Sequence, residues 1–132
     1  MPDDQSPAEP QRFTISRAED AVFDPKGLRS FFAYRDLGIA AATGGQFHAH
    51  VIRAREACRD GTGRHRHGLA FQMFYVLRGE VSFWYEGKGE FTFRPGDAVL
   101  QPPGIAHELL RCSGDCEILE ITSPADFATD PA

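Results

Sequence analysis

The chain has 132 residues and a net charge of −5, a length that suits one domain able to bury a core without staples. The acidic balance, with no basic patch, argues against a nucleic-acid partner, and no apolar run approaches the roughly 20 residues of a membrane span. An odd cysteine count argues against a secreted disulfide framework, and the start Met1-Pro2-Asp3-Asp4-Gln5 lacks the basic and apolar segments of a secretory signal, so the expected location is the cytoplasm.

Residues 1–12 carry prolines and acids but no aromatic side chain and read as a flexible tail. Residues 13–38 contain Phe13, Ile15, Val22, Phe23, Leu28, Phe31, Phe32 and Tyr34, which is too apolar for a linker. This segment is expected to pack on the main body or on a partner. Asp24-Pro25-Lys26-Gly27 within it reads as a turn. Residues 39–124 carry the main domain, and 125–132 a C-terminal tail. From Ile39 onward the pattern is short strands separated by turns. Strand character is found at 46–55, 69–77, 81–85, 91–93, 98–101, 108–111 and 117–121. Glu86-Gly87-Lys88-Gly89, Arg94-Pro95-Gly96-Asp97, Pro103-Gly104 and Ser113-Gly114-Asp115 are the intervening turns. No helical period runs through this region. Many short strands at regular spacing predict an all-β sandwich or barrel.

The most informative residues are histidines. His65 and His67 form an H-x-H pair, and alternate residues of a strand point to one side, so both can grip one ion. Gln72 follows five residues after His67. His107 ends a glycine- and proline-punctuated run from Gly96 and is the long-range third member. Neutral imidazole is the commonest protein ligand for transition metals.

Taken together these residues resemble the two motifs of the cupin superfamily. The first is matched by His65, His67, Gln72 and Gly79, and the second by Gly96, Pro102, Gly104 and His107, over about residues 45–122. The resemblance implies a double-stranded β-barrel of jelly-roll type with an N-terminal extension, a homodimer, and one divalent metal (Fe, Mn, Ni or Zn) held by His65, His67, Gln72 and His107. Two positions depart from the family pattern. Gln72 stands where glutamate is usual, and Arg111 where asparagine is often found four residues after the last histidine. Four neutral ligands would leave the ion its full charge, strengthening it as a Lewis acid and attracting an anionic co-ligand. Gln72 has a second reading, as a hydrogen-bond partner that holds a histidine in place.

Other candidates are weaker. His48 and His50 form a second H-x-H, either on the cavity wall or at an exposed edge; His50 is the one taken as a pocket candidate. Arg53 and Arg55 fit a carboxylate clamp or a solvated face. Arg111 is placed at the cavity mouth or in a surface ion pair. Phe74, Val76, Trp84 and Phe93 suit a pocket lining or the core. Tyr75 and Tyr85 are candidate acids. Cys112 and Cys116 flank a tight loop, but a cytoplasmic protein keeps thiols reduced, and Cys58 falls in a loop without a role. No catalytic residue is assigned. The functional expectation is a metal-dependent, oxygenase-like enzyme for a small chelating molecule. The alternatives are a non-catalytic module that binds or senses a small ligand, and a structural cupin with an adventitious metal.

Overall fold

The computed structural model describes residues 11–25 and 31–132. Most of the expected tail, and Lys26, Gly27 and Leu28, lie outside the described residues. In chain order the strands are β1 (Phe32–Asp36), β2 (His48–Ala54), β3 (His65–Gly68), β4 (Phe71–Arg78), β5 (Val81–Tyr85), β6 (Gly89–Phe93), β7 (Ala98–Leu100), β8 (His107–Cys112), β9 (Glu117–Ser123) and β10 (Ala128–Pro131). They form two five-stranded antiparallel sheets, ordered β1-β2-β9-β4-β7 and β10-β3-β8-β5-β6. The two sheets make the jelly-roll sandwich that the strand pattern predicts.

Alternation sets the packing. In β4, Gln72, Phe74 and Val76 are buried, while Phe71, Tyr75 and Leu77 are exposed. In β5, Val81, Phe83 and Tyr85 are buried. Phe74 of one sheet meets Phe83 of the other with ring centroids 5.1 Å apart. Burial of each such side chain contributes about 1.5–3 kcal/mol, so this inter-sheet layer holds the cavity walls in place.

The turns follow their chemistry. Asp97 N–H donates to the Arg94 carbonyl at 2.9 Å, with Gly96 at φ 93°. Gly79 is required on two counts: its φ is 69°, and a Cβ there would lie 2.9 Å from Cα of Cys116 in the neighbouring loop.

Three expectations need correction. The first sheet begins before residue 39, because β1 lies within 13–38 and pairs with β2. Ile39–Ala42 is one turn of helix, α1, rather than strand; Thr43 Oγ1 donates to the Ile39 carbonyl at 2.8 Å and closes it. The C-terminal residues are not simply a tail, since β10 pairs with β3 and extends the second sheet. Cys58 lies in the loop between β2 and β3, as expected, but is buried there; its N–H donates to the Cys112 carbonyl at 3.1 Å, and its carbonyl accepts from the Cys112 N–H at 2.9 Å. None of the three cysteines is in a disulfide. The segment 13–38 divides: Phe31, Phe32 and Tyr34 pack on the core, whereas Phe13 is 92 % exposed and Ile15 and Val22 are also exposed.

Candidate functional site

The two sheets enclose a cavity of about 480 Å³, within the roughly 300–1,000 Å³ range of small-molecule sites. One wall is built by the second sheet. Residue pairing places His65 of β3 directly opposite His107 of β8, and His67 follows His65 on the same face. The ring centroids are 4.5 Å (His65–His107), 4.9 Å (His65–His67) and 4.9 Å (His67–His107) apart, and the three ligand nitrogens lie within 4.8 Å of one another.

The hydrogen bonds of these rings fit a metal. His65 Nδ1 lies 2.9 Å from the Gly63 carbonyl, and His107 Nδ1 lies 3.0 Å from the Ile105 carbonyl. A carbonyl only accepts, so both Nδ1 atoms carry the proton and both Nε2 atoms keep a lone pair. His67 Nδ1 is held at 2.8 Å by Thr129 Oγ1 of β10, which leaves its Nε2 as the remaining ligand atom. His107 is 3 % exposed, and burial pushes its imidazole below the ordinary value, against the smaller opposing effect of the Ile105 carbonyl. It is therefore neutral and ready to ligate.

The opposite wall belongs to the first sheet. Gln72 Nε2 donates to Glu120 Oε2 at 2.9 Å. This fixes the amide: its nitrogen faces the carboxylate, and its carbonyl oxygen is free to turn elsewhere. Glu120 also accepts from His50 Nε2 at 2.7 Å. Burial works to raise the Glu120 carboxyl. The hydrogen bond from His50, that ring's charge and the bond from Gln72 outweigh it and hold the group below the usual carboxylate range. A carboxylate thus stands directly behind Gln72. The negative charge absent from position 72 thus stands one side chain further out, on Glu120.

Of the other sequence candidates, His50 lines the cavity, together with His48. Tyr75, Trp84 and Arg111 do not. Tyr75 follows cavity-lining Phe74 and Trp84 follows cavity-lining Phe83, so strand alternation turns both to the outer face, where Trp84 stacks under Arg64 at 3.8 Å. Arg111 shares the parity of His107 only nominally. Ser82 pairs with Arg111 but Phe83 with Leu109, so a bulge at Leu110 inverts the alternation and Arg111 pairs with Glu90 at 3.6 Å on the surface. Arg53 lies over the Phe23 ring at 3.7 Å and bonds Glu117 rather than the cavity. Tyr85 is buried, and burial pushes its phenol up, so it stays a donor and bonds Gln101 Oε1 at 2.8 Å.

Sequence reasoning missed Glu120, Thr129 and Gln101. Glu120 had a signal: it sits two residues after the core residue Ile118 in a strand, so it must face inward. Gln101 falls inside the second motif, at one of its unspecified positions, and Thr129 lies beyond both motifs, so neither carried a signal.

A sequence profile of the family described as "Cupin domain" matches residues 56–122. The chain belongs to the cupin family. Solved cupin-fold structures resemble it closely in shape. The polyketide cyclase RemF from Streptomyces resistomycificus has a TM-score of 0.72 at 17% identity, covering 92% of this chain and 86% of that one. KdgF from Halomonas sp. gives 0.68 at 17% identity, with 84% and 94% covered. Salicylate 1,2-dioxygenase from Pseudaminobacter salicylatoxidans gives 0.64 at 13% identity, with 80% of this chain but 32% of that one covered. Comparison with curated protein sequences finds no match. At these identities the structures establish the cupin fold alone.

Proposed function

We propose that this cupin is a metal-dependent enzyme of oxygenase-like type, acting in the cytoplasm on a small organic molecule that chelates the metal. His65, His67 and His107 hold one divalent transition metal (Fe, Mn, Ni or Zn), and the free carbonyl oxygen of Gln72 is the fourth ligand. The observation that carries this reading is the convergence of the three rings: Nδ1 of each is engaged, which turns the Nε2 atoms toward one cavity, where the Gln101 amide lies 3.5 Å from His107 Nε2. Bound there, the ion supplies Lewis acidity that stabilises an anionic oxygen on the substrate. The rest of the cavity is apolar where it counts for a ligand body, with Phe32, Ile52, Phe74 and Leu109 in its walls. One structural neighbour is a salicylate 1,2-dioxygenase, an oxygenase by name, and another is a polyketide cyclase.

The test is anaerobic loading with Fe(II), followed by O₂ addition in the presence of catechols, 2-oxo acids and enolisable ketones. Substrate-dependent O₂ uptake with product is expected. Chelation without product across the panel would identify a ligand-binding or sensing module instead.

The assembly proposed is a homodimer. Phe13, Ile15 and Val22 are apolar and exposed on the single chain, and a second copy would cover them. Sedimentation should show a dimer at tens of micromolar, where an ordinary interface holds; a monomer there refutes it.

A further inference from the structure

A second glutamine stands beside the triad, and its amide is only half used. Gln101 follows β7 directly. The pairing of β4 with β7 runs Tyr75–Ala98, Phe74–Val99 and Met73–Leu100. The next step of that ladder is the Gln101 N–H donating to the Gln72 carbonyl at 2.9 Å, so the two glutamines lie side by side. Both line the cavity, and Gln101 is 2% exposed.

The Gln101 amide is oriented from its far side. Tyr85 Oη donates to Gln101 Oε1 at 2.8 Å. With its oxygen held there, the amide turns its nitrogen to the triad, 3.5 Å from His107 Nε2. Tyr85 is also paired directly with His107 across β5 and β8, so the amide is held between two groups on one ladder. The contact with His107 is longer than the roughly 2.7–3.2 Å of a good N–H hydrogen bond. An amide nitrogen carries two donors, and the other has no hydrogen-bond partner among the described residues.

Ligation by His107 takes away the one acceptor this nitrogen has, because the Nε2 lone pair goes to the ion. Two buried N–H groups are then left facing the cavity, and buried donors without partners are costly. They are not remote from the chemistry. The nitrogen that carries them lies beside a ligating atom, where an acceptor held at the triad next to His107 meets it. Resting on the metal-centred reading above, we propose that Gln101 donates a hydrogen bond to the substrate oxygen held at the triad, with Tyr85 as the positioning residue that turns its amide there. The substrates it favours chelate through oxygens that keep a lone pair: hydroxamates, catecholates, enolates and 2-oxo acids. Ligands that bind through a nitrogen with no lone pair to spare gain nothing from it. The bond strengthens as the oxygen gains negative charge, since charge-assisted hydrogen bonds are roughly twice as strong as neutral ones. Gln101 therefore favours an oxygen that becomes anionic during reaction over the same oxygen in its neutral state.

Cobalt(II)-loaded protein, whose visible bands report ligand binding at the ion, tests this with two probes. Acetohydroxamate binds through anionic oxygens, and imidazole through a nitrogen that keeps no lone pair. Gln101→Met should bind acetohydroxamate about 10–100-fold more weakly than wild type, the range for a hydrogen bond to a charged group. Its imidazole affinity and cobalt stoichiometry should be unchanged. Methionine leaves the Tyr85 hydroxyl without its acceptor, so the paired variant Tyr85→Phe/Gln101→Met, which removes both partners, serves if the single one does not fold. Its expected values are the same. Tyr85→Phe alone should show a smaller loss of the same selective kind, because the amide keeps its donors but loses its anchor. Unchanged acetohydroxamate affinity in Gln101→Met or the paired variant overturns the proposal. Equal weakening of both probes, or loss of cobalt, also overturns it, and makes Gln101 a support for His107 instead. A wild type that takes up no cobalt refutes the metal-centred reading itself. One that takes up cobalt but gives no acetohydroxamate band overturns the proposal and leaves the triad standing.

Discussion

His107→Ala is expected to abolish stoichiometric metal binding. The ring supplies one of three converging nitrogens, and it is the buried one, fixed at Nδ1 by the Ile105 carbonyl, with the Gln101 amide 3.5 Å from its Nε2. No described His, Cys, Asp or Glu outside the triad joins this ligand cluster, so nothing of that type replaces it. Loss of a group that merely orients a ligand costs about 10–100-fold in affinity. Thr129→Val, which removes the partner of His67 Nδ1, should fall in that range, and His107→Ala should exceed it. Metal analysis of tag-free protein, with circular dichroism to show that each variant folds, checks the order. Retention of a full metal equivalent by His107→Ala would remove the triad from the account. Acid gives a second check on the same ring. Its folded value lies below the ordinary 6.5, so the unfolded chain binds more protons as pH falls. The stability this group contributes to the metal-free protein is therefore full above 6.5 and declines as pH drops from there through the folded value.

The histidines, the turns and most strand positions of the motif region were legible because each rests on local chemistry. His65 and His67 need only strand alternation, and Arg94-Pro95-Gly96-Asp97 needs only the φ preferences of proline and glycine. What escaped notice depends on contacts far apart in sequence. β10 is exposed along its length and reads as a tail, yet it gains its partner from β3 some sixty residues earlier, and it brings Thr129 to His67. Of the two places open to Arg111, the surface ion pair is the one found, because one bulged residue, Leu110, undoes the parity that would have aimed it at the cavity. Glu120 was overlooked although Ile118 fixed its direction; an acid inside a strand was read as strand and not asked for its partner. That omission matters most, since the charge missing from position 72 is found on Glu120.

Gln72→Glu is expected to strengthen metal binding and to make it steeply pH-dependent. In wild type the amide nitrogen sits 2.9 Å from Glu120 Oε2. The substitution replaces that donor with a second carboxylate facing the first. Two such groups in contact cannot both ionise without a cation, so in the metal-free variant the pair retains a proton. Metal binding must expel it. The variant should therefore gain little affinity at mildly acidic pH and about tenfold at alkaline pH, the equivalent of about 1.4 kcal/mol. Adding Glu120→Gln to it moves the single negative charge from behind the ligand to the ligand itself. The double variant has no carboxylate pair, so it should keep the gain and return to the wild-type pH slope. Competition titrations against a chromophoric chelator across the pH range measure both quantities. If Gln72→Glu shows neither the gain nor the altered slope, the residue does not ligate, and its role is limited to the hydrogen bond it gives Glu120.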